Sequence, residues 1–271
     1  MADRAIKHPD IKDQPGFGKM AGLCLALLYS PILILMAFSL NSGNIVNHWE
    51  GVTLSWYGKA LANEEFHNAA KNTLIISISA TILSTLMATM AAIGMTRVKP
   101  WLGLGASFMV INLPLMVPEI ITAVATLTFF ALLASTFGLN FGIGNLIVAH
   151  TVFCIPFAYM PIKARLEDLD LTLENAAADL YATPWNAFRR VTLPLLVPGI
   201  LSGLALAFIV SFDDFTITQL VAGPGQTTLP LYIWNQIRRP MTPEINAIST
   251  ILLLISILFV SVSFLIARRR K

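Results

Sequence analysis

Five stretches of this sequence, 20–49, 72–96, 120–162, 191–212 and 245–267, each run for more than twenty residues without an Asp, Glu, Lys or Arg. A bilayer core about 30 Å thick is crossed by roughly 20 apolar residues in a helix rising about 1.5 Å per residue, so every one of these runs can span it. A further apolar stretch, 100–118, joins the third run through a single acid, Glu119. The 120–162 run is too long for one crossing, and the turn-rich FGLNFGIGN at 137–145 divides it. The runs therefore predict an all-α, polytopic membrane protein with about six transmembrane helices, at 20–40, 73–95, 104–133, 146–162, 194–212 and 245–266.

Only 12% of the residues are charged and 56% are hydrophobic, whereas soluble domains are about a quarter charged, so water is not the main solvent. The runs are continuously apolar rather than alternating with period two, which argues against a closed barrel. The first run is longer than a signal-peptide core and no small-x-small cleavage site follows it, so it reads as retained. Cys24 and Cys154 both fall inside predicted spans, and no disulfide framework is implied.

Charge orients the chain. With the N-terminus inside, the cytoplasmic segments hold Arg4, Lys7, Lys12, Lys19, Arg97, Lys99, Lys163, Arg165, Arg189, Arg190 and the tail 268–271, which is 14 of the 18 basic residues. Lys59, Lys71, Arg238 and Arg239 fall on the other side, and the positive-inside rule selects this topology, with both termini cytoplasmic. The organisation expected is a cytoplasmic segment 1–19, a membrane domain 20–267 and a basic tail 268–271. Although the pI is near 9.0, no basic face or aromatic platform supports a nucleic-acid reading. An external loop, 41–72, carries Trp49, Trp56 and Tyr57, residues suited to an interfacial belt.

The cytoplasmic loop 163–193 reads KARLEDLDLTLENAAADLYATPWNAFRRVTL and leads into PLLVPG. Leu173, Ala176, Ala177 and Leu180 recur at helical spacing, 172–175 can open that helix, and Thr183-Pro184 interrupts it. A second short helix over 185–191 should precede Pro194 and Pro198 at the start of the fifth span. From pattern alone this is either an interfacial helix pair with no partner or a knob whose small residues let a partner approach closely.

The segment resembles the EAA loop of ABC importer permeases, whose pattern is Glu-Ala-Ala, a Gly six residues after the Glu, then an aliphatic residue and Leu-Pro. Asn175, Ala176 and Ala177 stand on the Glu-Ala-Ala positions, Tyr181 on the Gly, and Val191, Leu193 and Pro194 on the closing motif. Asn for Glu and Tyr for Gly are departures, and Glu174 or Asp179 is left to supply the motif carboxylate. LPLMVPEIITAV, AHTVFCIPF, SFDDFTITQLVAGPGQTTLP and PEINAIST extend the resemblance over almost the whole chain, toward permeases of spermidine and putrescine importers. The resemblance implies a type I importer permease fold in a bacterial inner membrane, with the loop docked on an ATP-hydrolysing subunit. It also implies two ATPases, a related second permease forming a heterodimer, and a periplasmic solute-binding protein. Each permease would supply half the pore.

Glu119 is the one charge between Lys99 and Lys163, and burying it mid-helix costs roughly 2.5–3.5 kcal/mol. Pro114 and Pro118 precede it, so the third span should be kinked or broken there, with Glu119 facing a pathway or a helix interface rather than lipid. Asp213 and Asp214 stand in tandem at the outer end of the fifth span; neighbours on a helix point about 100° apart, so one can face the pathway while the other braces the next loop. With Phe212, Phe215, Tyr232 and Trp234, these acids suit a flexible apolar chain with ammonium ends, although such aromatics also serve as packing. Arg238 and Arg239 are assigned to the rim. His150 and Cys154, at i and i+4, are two ligands and not a metal site and read as hydrogen-bonded packing in the fourth span; Met109 and Met116 read as filler.

No phosphate-binding loop is present: Gly16-Phe17-Gly18-Lys19 lacks the spacing. No cofactor is expected, and ATP hydrolysis would belong to a separate subunit. The rivals are an importer permease for another organic cation, an amino-acid derivative or an anion; an intramembrane enzyme, which lacks a His-Glu-x-x-His motif and facing acids; and a noncatalytic scaffold, which leaves Glu119 and the loop without a purpose.

Overall fold

The computed structural model describes residues 16–45, 48–97, 102–238 and 242–268. The segment before residue 16, Lys99, Arg239 and the tail 269–271 lie outside them. In chain order the helices are α1 (Phe17–Phe38), α2 (Ser55–Ala62), α3 (Glu64–Thr96), α4 (Leu104–Met116), α5 (Glu119–Phe137), α6 (Ile143–Glu167), α7 (Leu171–Asp179), α8 (Pro184–Ala187), α9 (Leu193–Asp213), α10 (Thr216–Val221), α11 (Leu229–Ile237) and α12 (Pro243–Arg268). A π-helical turn, Phe188–Thr192, joins α8 to α9. Five stretches among the described residues are long and apolar enough to cross a bilayer: Phe17–Phe38, Glu64–Thr96, Glu119–Phe137, Ile143–Glu167 and Pro184–Asp213. The predicted sixth span coincides with α12.

The chain divides into two compact units, one formed by residues 1–63 and 236–271, the other by 64–235. In the first, α1 has no buried residue. The predicted external loop is more ordered than its composition suggested. Asn41 donates to the carbonyls of Ile45 and His48 and accepts from the amides of Gly43 and Glu50, closing the chain into a compact turn. Trp56, expected at an interface, is instead buried and donates to the Asn41 carbonyl at 2.8 Å, while the Tyr57 and Ser39 hydroxyls pair at 2.6 Å. Trp49 alone of the three stays exposed.

The second unit is built on α3, α6 and α9. Helix α3 begins at Glu64 rather than at 73, because Glu64 and Glu65 in its first turn complement the positive end of the helix dipole. Reading its start from the charge-free run missed them. Its buried face is mostly small and hydroxylated (Ala69, Thr73, Ser77, Ala80, Thr81, Ser84, Thr85, Ala88 and Ala92, beside Phe66 and Ile76); Thr73 and Ser77 return their hydroxyls to carbonyls of their own helix, whereas those of Thr81 and Thr85 have no partner among the described residues. In lipid, where apolar surface gains little by leaving its solvent, small residues and satisfied hydroxyls are what bring helices close.

Helices α6 and α9 run antiparallel in a four-residue register. His150 Nδ1 meets Ser211 Oγ at 2.9 Å, Cys154 Sγ meets the Ala207 carbonyl at 3.5 Å, and Ala158 backs directly onto Gly203. Tyr159, Ile162, Leu166 and Leu196 complete one apolar cluster with Ala88 and Ala92 of α3. A second cluster gathers Ile76, Ala123, Phe130, Leu146, Phe153, Ile217 and Val221, and fixes α5 and α10 against α6. Met109 and Met116, read as filler, are instead exposed on this chain.

Candidate functional site

The third predicted span is two helices. Val117 is extended (φ −97°, ψ 136°), as steric conflict with the ring of a following proline favours, and α5 starts immediately after Pro118. Pro114, by contrast, is carried inside α4 without ending it. The break sets Glu119 at the head of α5, where a carboxyl group complements the exposed amides of a helix start.

Helix α10 packs against α5 and brings the second acid near the first, close enough for the Glu119 carboxyl to feel Asp214 and Thr216 electrostatically. Asp214 itself is buried. It accepts from the amides of Ile217 (3.3 Å) and Thr218 (3.0 Å) and from the Thr218 hydroxyl (3.0 Å), bracing α10 as one of the tandem acids was expected to do. His150 closes the network, with Nε2 3.3 Å from Asp214 Oδ2 and 3.1 Å from Thr218 Oγ1. Thr218 has one hydroxyl proton and gives it to Asp214, so toward Thr218 the imidazole must donate, and this places a proton on Nε2. Asp213 is exposed.

The aromatics separate into two kinds. Phe215 and Trp234 stack with ring centroids 5.1 Å apart, Trp234 remaining exposed, and Phe212 packs on Phe208 at 5.6 Å. Tyr232 is buried beside Phe66, a packing position within this chain. His150 is the member that sequence reasoning set aside as packing. Its signal was chemical: an acid in a membrane helix calls for a polar partner, and His150 is the one imidazole of the fourth span.

The loop 163–193 is organised by a second carboxylate. Asp170, not the 172–175 segment, caps α7 through the Thr172 amide at 2.9 Å. That hydrogen bond holds the Asp170 carboxyl below the usual carboxylate range, so the cap is intact at neutral pH and is lost as the pH falls through the lowered value. Thr183 caps α8, which starts at Pro184 and is shorter than the predicted 185–191 because the π-helical turn takes over at Phe188. Glu174 Oε1 accepts from Arg97 Nε and from Thr192 Oγ1, each at 3.1 Å, while Arg97 also donates to the Leu166 carbonyl. Two side chains, Glu174 and Arg97, thus tie together the end of α3, the end of α6, α7 and the turn leading into α9. Asn175, Ala176, Asp179 and Pro194 are exposed, with Ala177 and Leu193 half-buried. Tyr181 is exposed with φ 58°. A cavity of about 540 Å³ opens at this same end, lined by Arg97, Phe108, Tyr159, Lys163 and Glu167. It is distant from the acids, since Lys163 lies about 20 Å along α6 from His150.

Residues 80–269 match the family described as "Binding-protein-dependent transport system inner membrane component". The chain belongs to that family. Among its relatives, the putrescine transport system permease protein PotI of Escherichia coli (strain K12) is 37% identical over 233 residues, covering 85% of this chain and 83% of PotI. The spermidine/putrescine transport system permease protein PotC of the same strain is 34% identical over 247 residues, 90% of each chain. A solved bacterial ABC transporter involved in import of the acidic polysaccharide alginate contains a chain similar in fold, with TM-score 0.71 and 17% identity over 93% of this chain and 94% of that one. The architecture is that of a type I ABC importer permease.

In the loop it is Glu174, not Asn175, whose side chain makes hydrogen bonds to neighbouring segments, and Asn175 is exposed. Glu174→Gln is expected to lower stability in detergent by about 1–2 kcal/mol, as loss of hydrogen bonds to a charged group does, whereas Asn175→Asp should be neutral. Thermal unfolding of the two variants checks this; equal effects would remove Glu174 from its role as the clamp.

Proposed function

We propose that this chain is one of two permease subunits of an ATP-driven importer and forms half of a pathway for a polyamine such as putrescine or spermidine. The observation that carries the reading is the helix break at Val117–Pro118, which presents Glu119 to Asp214 beside the exposed Asp213. Carboxyl groups at a gap between membrane helices suit a cation that sheds water as it passes. The Phe215–Trp234 pair, with Trp234 exposed and Phe215 half-buried, offers a ring surface on which ammonium groups and methylenes can both rest. Similarity to PotI and PotC supports the same cargo class.

In this reading both termini are cytoplasmic, and the 163–193 loop faces the cytoplasm and docks on an ATPase through Ala176, Ala177 and their neighbours. A second, related permease completes the pore, and a periplasmic binding protein delivers the substrate. Closure of two ATPases moves the loop, and the Glu174 clamp passes that motion to α3, α6 and α9 together, so that access alternates between the two sides.

The test is uptake of labelled putrescine and spermidine by proteoliposomes holding the complete transporter. Glu119→Gln and Asp213→Asn should each lower uptake about tenfold or more with assembly intact, the loss of a charge-assisted contact to the cargo. Ala177→Glu should instead impair recovery of the ATPase with the permease. Full uptake by both acid variants would overturn the pathway assignment.

A further inference from the structure

The end of α7 carries a strain that nothing in this chain offsets. The helix closes with the amide of Ala182 on the Ala177 carbonyl at 3.0 Å and the amide of Tyr181 on the Ala178 carbonyl at 2.9 Å. That pair of bonds forms when the intervening residue adopts the left-handed conformation, a position glycine takes without steric conflict. Here it is Tyr181, at φ 58°, the one non-glycine residue with positive φ among the described residues. A bulky side chain is a poor choice for that backbone. Its ring gains no packing in return, because Tyr181 is 96% exposed. Leu180 before it is 82% exposed, and Trp185 after it 65% exposed and stacked on Phe188. Strained, exposed and surrounded by large apolar neighbours, Tyr181 has the character of a side chain kept for contact with another molecule.

The charges nearby indicate what kind of molecule. Helix α7 carries no basic residue; with Glu174 paired to Arg97, its unpaired acids are Asp179 and the cap Asp170, while the exposed Arg189 and Arg190 lie beyond Trp185 in the following turn. An anionic phospholipid surface would be repelled by these acids, whereas a protein pocket with an apolar floor and a Lys or Arg rim would complement both the ring and the carboxylates.

We infer that Tyr181 is a partner-specificity anchor: its ring enters an apolar, basic-rimmed pocket on the ATPase subunit of this transporter, a pocket that a loop with glycine at this position leaves empty. The inference rests on the reading of loop 163–193 as the ATPase dock. It adds that this loop discriminates between ATPases, since one lacking the pocket must bury a clash to bind it.

The experiment measures affinity of the complete permease pair in nanodiscs for the ATPase subunit co-expressed with it, alongside the thermal midpoint. Tyr181→Gly should weaken binding about tenfold or more while leaving the midpoint no lower. Tyr181→Ala should weaken binding similarly, and Tyr181→Phe should bind within about threefold of the parent, because the ring is what the pocket holds. In a Cys24→Ser background, Tyr181→Cys should react with a water-soluble maleimide and be protected once the ATPase is added. Undiminished binding by Tyr181→Gly overturns the anchor while leaving the dock intact. Protection by phosphatidylglycerol nanodiscs alone overturns it in favour of a lipid contact. Failure of the unaltered permease to bind any ATPase removes the docking reading itself.

Discussion

His150→Leu is expected to destabilise the chain by about 1–3 kcal/mol, as leaving a buried carboxylate short of a hydrogen-bond donor does. The side chains of His150 and Asp214 are each 1% exposed. Removing the imidazole leaves the Asp214 carboxylate with donors from α10 alone, and it orphans the Ser211 hydroxyl as well. Asp214→Asn offers only partial relief: its oxygen can keep the Thr218 and His150 contacts, but its NH2 then faces the Ile217 amide, which also donates. The decisive comparison is a double-mutant cycle. If the two side chains form one unit, His150→Leu and Asp214→Leu together should cost at least about 1 kcal/mol less than the sum of the singles. Additive costs, read by unfolding in detergent, would show that His150 merely fills space. Because Asp214 lies within electrostatic reach of Glu119, His150→Leu should lower uptake further than its effect on the amount of folded protein explains.

The spans were legible because a bilayer imposes one requirement, a long apolar run, and the sequence meets it without ambiguity. Which proline breaks a helix was less so. Pro31, Pro114, Pro156, Pro161 and Pro198 all lie inside helices, where neighbouring helices and side chains can accommodate the freed carbonyls. Pro118 ends one because Val117 before it turns extended and Glu119 after it supplies a new start. The acid next to the proline was therefore the informative feature; from sequence, Pro114 and Pro118 together predict a kinked or broken span, and Pro118 is the one that ends the helix. His150 was not read as part of the site, since it lies 61 residues from Ser211 and 68 from Thr218, and nothing local announces a contact between spans.

The loop shows the same division. Its two short helices follow from local periodicity and from Thr183-Pro184. The role of Glu174 depends on Arg97, 77 residues earlier, so its spacing from Asn175 could raise the question of a substitute carboxylate but not answer it. Tyr181 stood out as a departure from the Gly of the pattern, yet whether the backbone there had changed to suit a tyrosine required φ. It has not changed; the residue takes a conformation that glycine prefers.

Gly203→Val should be the most damaging single substitution outside the polar network. A Cβ at Gly203 would stand 2.6 Å from the Ala158 carbonyl oxygen and 3.1 Å from the Ile162 side chain. The oxygen belongs to the backbone of α6 and cannot swing aside, so the helices themselves must part. At Gly199, one turn away on the same face, a Cβ would meet Arg165 Cβ at 2.5 Å, which blocks any pivot toward that end. Even alanine at 203 should cost about 1–3 kcal/mol by overpacking, and valine more, since its second methyl has no direction free of α6. Separation would also lengthen the His150–Ser211 and Arg165–Leu195 hydrogen bonds, which lie at opposite ends of the same contact. The loss is not softened by apolar surface regained elsewhere, because lipid solvates a parted helix face as well as a neighbour does and only close packing holds the pair. Gly94→Ala is the matched control: its Cβ meets nothing within 4 Å, so it should be neutral or stabilise α3 by up to about 1 kcal/mol. Thermal unfolding of the three variants in one detergent decides the matter. Equal midpoints for Gly203→Val and Gly94→Ala would mean that α6 and α9 are not held at the distance on which the coupling of the loop to the acid cluster depends.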